Sequence, residues 1–220
     1  GACTGLMKAL MQDFRKHGGK ILIGGFKETS YPIAKNLGFK SIINHSEVMH
    51  CDLDPNFESE YFRTKKVFCR DSVWKDWPGI GLLFGIREGE YLRSMKHKIF
   101  GSFDYEEHFL EDIMERLKGL CISKVLSSEK GSVVGYATLT YKHGLKDNFW
   151  LLDFFIHPEN MSYTDNIFDA MSFPTGKIRC YVDSEAEEKC DALLKRGFKE
   201  KTRRQVKHCG KTFDITLMDL

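Results

Sequence analysis

A strand–helix–Gly-Phe–strand pattern occurs twice in this chain, and a repeat of that size limits the folds open to it. Lys20-Ile-Leu-Ile, a helical stretch and Leu37-Gly-Phe39 return as Lys177-Ile-Arg-Cys, a helical stretch and Arg196-Gly-Phe198. Gly38 and Gly197 lie 159 positions apart (197 − 38), about one module length for an ordinary domain. Glycine is also the usual helix stop, so chance recurrence is the alternative reading.

At 220 residues the chain can build one large core or two small ones. Its 42% hydrophobic content, with 17 Phe, supplies a packed interior and excludes disorder. A net charge of +2 offers no electrostatic case for nucleic acid or an anionic membrane. No apolar run reaches the length of a membrane span, and no signal-peptide pattern precedes residue 20. A periodic helix starts almost at residue 1, so Gly1 reads as a cloning remnant with a segment expected upstream. Seven cysteines, at 3, 51, 69, 121, 180, 190 and 209, make an odd count without a CxxC or CxxH spacing. That pattern predicts free thiols in a reducing, cytoplasmic compartment and no metal site.

Leu6, Met7, Leu10, Met11 and Phe14 repeat at helical spacing up to Gly18-Gly19. A strand is predicted over 20–26, then a helix capped by Thr29 or Ser30 and ended by Gly38. Strands over 39–43 and 47–53 follow, with a turn at Asn44 to Ser46. Asp54-Pro55-Asn56 reads as a linker. Beyond it come a strand at 65–70, a helix near 74–84 capped by Asp71, Ser72 or Asp76, a polar stretch, and an amphipathic helix over 105–117. A hairpin-like pair at 121–126 and 133–141 precedes a very apolar strand at 148–157, suited to mid-sheet. The chain closes with helix 162–172, strand 177–182, helix 185–196, strand 198–206 and strand 211–219.

Five segments in this order resemble the GNAT N-acetyltransferase superfamily. They are Val67-Phe-Cys-Arg70 with Trp74-Lys-Asp-Trp-Pro78, Val134-Gly-Tyr-Ala137, Leu152-Asp-Phe-Phe-Ile-His-Pro158 and Leu194-Lys-Arg-Gly-Phe198. The resemblance implies an α/β fold, a mixed sheet flanked by helices, over 62–220. By the same likeness, 1–53 corresponds to the C-terminal half of a first module and 54–61 to a linker.

The family binds acetyl-CoA, whose pyrophosphate rests on free N–H groups where a loop enters a helix after the fourth strand. Glycines there let the backbone approach the oxygens. In the first half-module the implied cradle is Gly1, Ala2, Cys3, Thr4 and Gly5, with an ordinary helix start as the alternative. The second module departs from the signature: no glycine occurs from 145 to 175, and Glu159 and Asp165 add negative charge. Its expected role is structural, or that of a wall for the amine.

Acetyl transfer to an amine needs a base for the attacking ammonium and an acid for the leaving thiolate. Many relatives use a Tyr four residues before the Gly of Gly-Phe, where this chain has Ala34 and Leu193. Tyr31, one helical turn earlier, is the substitute candidate, with a packing role as the alternative. Asp153 interrupts an apolar strand and is the candidate base. A carboxyl among apolar groups holds its proton more tightly than one in water. The alternative is an acid bonded to backbone or Arg at a cleft mouth. His157 is expected to cap the next turn, and Lys201 to His208 to be the solvated face of an edge strand.

The resemblance thus implies an acetyl-CoA-dependent N-acetyltransferase acting on a primary amine of a small molecule or peptide, with no nucleic acid or membrane partner. One alternative is a non-catalytic scaffold with an eroded fold. Another is a half-module completed by a second chain, a homodimer.

Overall fold

The computed structural model describes residues 2–41, 48–85, 94, 105–145, 147–208 and 211–220. The expected turn at 44–46, most of the polar stretch before 105, Gly1 and Cys209 lie outside the described residues.

The amphipathic run at the start forms α1 (Ala2–Lys16), which ends where Gly18 takes φ +80°. It is followed by β1 (Ile21–Gly25), α2 (Tyr31–Asn36), β2 (Lys40–Ser41) and β3 (Val48–Asp52). A 3-10 turn, Glu28–Ser30, leads into α2, and Ser30 makes no side-chain cap. Its hydroxyl donates instead to the Lys27 carbonyl. The three strands form an antiparallel sheet in the order β1-β3-β2. Met11, Ala34, Phe39, Met49 and Cys51 form a small core there.

The stretch expected as a linker is not an open connector. It carries α3 (Phe57–Phe62), whose two terminal phenylalanines are buried in the main core. Phe57 and Phe62 lie five residues apart, a spacing that marks no amphipathic period, and Pro55 signals a turn.

The remaining elements are β4 (Val67–Asp71), α4 (Trp77–Gly85), α5 (Tyr105–Leu117), β5 (Cys121–Ser128), β6 (Val133–His143), β7 (Asn148–Ile156), α6 (Thr164–Met171), β8 (Ile178–Asp183), α7 (Glu187–Lys195), β9 (Lys199–His208) and β10 (Lys211–Asp219). Their seven strands form one mixed sheet in the order β4-β5-β6-β7-β8-β10-β9. All neighbours are antiparallel except β7 and β8. Helices cover both faces. Phe155 of β7 meets Phe84 of α4, and its cross-strand partner Tyr136 meets Phe109 of α5. Phe154, on the opposite face, meets Phe168 of α6. Asp76, expected as a cap, accepts from the Val73 amide and takes a bidentate pair from Arg70 at 2.6 and 2.7 Å.

The two Gly-Phe stops have the same geometry. Gly38 has φ +91° and Gly197 φ +93°. The Phe39 and Phe198 amides donate to the carbonyls of Ala34 and Leu193, both at 3.0 Å. The Gly38 and Gly197 amides donate to Lys35 and Leu194, again both at 3.0 Å. This is the Schellman pattern, closed by a buried apolar residue. The strands around each stop also share an order, β1-β3-β2 and β8-β10-β9.

Candidate active site

The central feature is a parting between two parallel strands. β7 and β8 pair only at Trp150 with Ile178, Leu151 with Arg179 and Leu152 with Cys180. Beyond that point β8 continues beside β10, and residues 153–156 of β7 keep β6 as their ladder partner. A cavity of about 240 Å³ lies in the parting. Phe154, Phe155, Ile156 and Met161 line one side, and residues 185–189, entering α7, line the other.

Asp153 is the first residue of β7 past the parallel pairing, and it is buried. Both of its carboxylate oxygens are engaged. The Ser94 hydroxyl donates to Oδ2 at 2.6 Å, and Lys189 Nζ lies 3.3 Å from Oδ1. Lys189 is itself only 5% exposed, and its ammonium stands 4.8 Å from the centroid of the Phe154 ring. Among the described residues its partners include a lysine and a serine, which sequence reasoning did not name. A signal for Lys189 was available: it falls on the buried stripe of α7, three residues after Ala186 and four before Leu193. A lysine in that stripe is stable only with a partner, because an unpaired buried charge costs several kcal/mol.

The loop after β7 has no exposed glycine cradle. His157 caps a 3-10 turn, Pro158–Tyr163, by accepting from the Glu159 amide. The Asn160 amide donates to the His157 carbonyl and the Thr164 amide to the Met161 carbonyl. The turn is also fastened to α3 and the segment that follows it. His157 Nε2 meets Glu58 Oε1 at 3.1 Å, Asn160 Nδ2 donates to the Phe62 carbonyl, and Tyr163 Oη donates to the Lys65 carbonyl. Since Nδ1 of His157 accepts, its ring proton sits on Nε2, which donates to Glu58. The Glu159, Asn160 and Thr164 N–H groups are therefore committed within the protein itself.

Ala2, Cys3, Thr4 and Gly5 form the first turn of α1. Ala2, Cys3 and Gly5 are exposed, and a Cβ at Gly5 would meet nothing within 4 Å. Tyr31 starts α2 and packs against the small core of the N-terminal unit, whereas Asp153 belongs to the main sheet. Ala34 and Leu193, the two positions at which the resemblance implied an acid, are both fully buried core residues. Five residues of β9, Lys201 to Gln205, are exposed on the outer strand of the sheet. No group of three His, Cys, Asp or Glu among the described residues could hold a metal ion, and no described helix is long and apolar enough to cross a membrane.

With this geometry in place, the likeness to solved structures is informative. A GNAT-family acetyltransferase from Streptococcus pneumoniae superposes with a TM-score of 0.55 at 15% identity, over 70% of this chain and 98% of that one. A GNAT-superfamily phosphinothricin acetyltransferase from Sinorhizobium meliloti, in complex with acetyl-CoA, gives 0.56 at 14%, over 70% and 87%. A ribosomal-protein-alanine N-acetyltransferase from Brucella melitensis gives 0.55 at 13%, over 70% and 98%. No family model and no curated protein matches the sequence. The chain has the fold of the GNAT acetyltransferases, a mixed sheet that parts between two parallel strands.

Proposed function

We propose that the protein is an acetyl-CoA-dependent N-acetyltransferase, with its reaction centre at the parting of β7 and β8. The observation that carries this reading is the position of Asp153, buried where the parallel pairing stops and paired with Lys189, which lines the cavity. An extended thioester arm can hydrogen-bond along a strand edge left free by such a parting. A carboxylate at its base can take the proton from an attacking ammonium, leaving the amine free to displace the thiolate. The acceptor is a primary amine of a small molecule or a peptide. The names of the phosphinothricin and ribosomal-protein-alanine enzymes motivate both classes.

The diphosphate of the carrier needs its own seat. The open first turn of α1, Ala2 to Gly5 with Gly1 before it, is the candidate, and Tyr31 is the candidate proton donor of that unit. A second reading follows from the committed loop at 158–163: a protein that kept the fold as a scaffold and lost acyl-CoA binding.

Calorimetric titration with acetyl-CoA, followed by transfer assays to small amines and peptides, separates the two. Binding and a transfer rate that falls 100-fold or more in Asp153→Asn support the enzyme. No heat at millimolar acetyl-CoA and no transfer leave the scaffold reading.

A further inference from the structure

We propose that Lys189 is an internal acyl acceptor: a thioester entering the β7–β8 cavity acylates this lysine. The inference rests on the reading of that cavity as the acyl-transfer centre. Lys189 lines the cavity, is 5% exposed, and holds its nitrogen 3.3 Å from the carboxylate proposed as base. A base must stand at this separation from the ammonium it deprotonates. Thus a primary amine of the chain already occupies the position that an external acceptor would take. It is a nucleophile held at high effective concentration beside any acyl group that enters.

The step balances in atoms and charge. Asp153 takes one proton from the Lys189 ammonium. The freed nitrogen pair forms the N–C bond, and the C–S bond breaks. The second nitrogen proton goes to the departing thiolate, giving a free thiol and an amide. The buried pair of opposite charges becomes a neutral amide and a neutral carboxylic acid, which still bonds Ser94. The reaction therefore leaves neither member of this ion pair charged without the other, the condition a buried pair must meet.

The test uses the whole chain and the acetyl thioester of N-acetylcysteamine, which carries no diphosphate and so does not depend on where that group binds. Peptide mass spectrometry follows acetylation of Lys189 against exposed Lys201 and Lys207 of the same molecule. Lys189 is expected to react at least about 10-fold faster than either, and Asp153→Asn to lower its rate about 10–100-fold while leaving the exposed lysines unchanged. In urea the preference should vanish, which needs no variant to fold. A buried lysine without an acyl site reacts more slowly than exposed ones, so Lys189 labelling at or below the rate of Lys201 overturns the inference. Transfer from acetyl-CoA to free amines with Lys189 unmodified overturns it too, and leaves the proposed function standing.

Discussion

The imidazole of His157 lies flat on the ring of Phe62, with centroids 4.2 Å apart and planes 3° from parallel. His157 directly follows β7 and Phe62 ends α3, so the stack fastens that helix to the rim of the proposed reaction centre. The hydrogen bonds from His157 to Glu58 and from Asn160 to the Phe62 carbonyl close the same contact.

Phe62→Ala removes a fully buried ring and that stack, and should cost about 3–5 kcal/mol. Phe62→Leu keeps most of the volume and should cost about 1–1.5 kcal/mol. Urea denaturation of both variants checks this. A loss under 1 kcal/mol for the alanine variant would show that α3 contributes little to the main core.

Asp153 and Lys189 should couple strongly in stability, apart from any role in chemistry. Removing one partner leaves the other charge buried, at about 3–5 kcal/mol, while Asp153→Leu combined with Lys189→Met should be far less costly than the sum. A double-mutant cycle measured by denaturation decides it. Additive losses would mean that the two groups do not sense each other.

Gly197→Ala puts an L side chain at φ +93° and should destabilise by about 1–2 kcal/mol, and Gly38→Ala should do likewise. Gly5→Ala, inside α1 with open space around its Cβ, should instead stabilise by about 0.5–1 kcal/mol. Thermal melts of the three variants give the signs directly. A neutral Gly197→Ala would contradict the left-handed helix stop.

Burial pushes the Cys180 thiol up to about 12 from its ordinary 9.0, and burial likewise raises Cys51, Cys69 and Cys190. Above about pH 9 the unfolded chain releases these protons and the folded chain keeps them. The folded state then binds more protons, and stability falls as pH rises, by up to about 1.4 kcal/mol per pH unit for one fully shifted thiol. The melting temperature should therefore drop steadily from pH 9 to 10.5, and less so in Cys180→Ala. A flat profile would rule out the thiols as the cause. In the same protein exposed Cys3 should alkylate at once and Cys180 only on unfolding.

Local signals alone determined much of this protein. The helix over 105–117 and the strand over 211–219 have the bounds that periodicity predicts, because apolar spacing and glycine stops act within a few residues. The mixed sheet flanked by helices was implied by the resemblance to the GNAT superfamily, and the central place of β7 by its apolar run. Asp153 stood out as an acid in an apolar run.

Tertiary structure alone decided what surrounds that acid. Ser94 reaches it across 59 residues of sequence and Lys189 across 36. Asn160 and His157 reach α3 across 98 and 99. Contacts over such separations leave no periodic trace in the chain, since they arise only when the sheet brings distant strands and helix ends together. An ion pair, unlike an apolar stripe, needs only one residue on each side, so pattern reading has nothing to count.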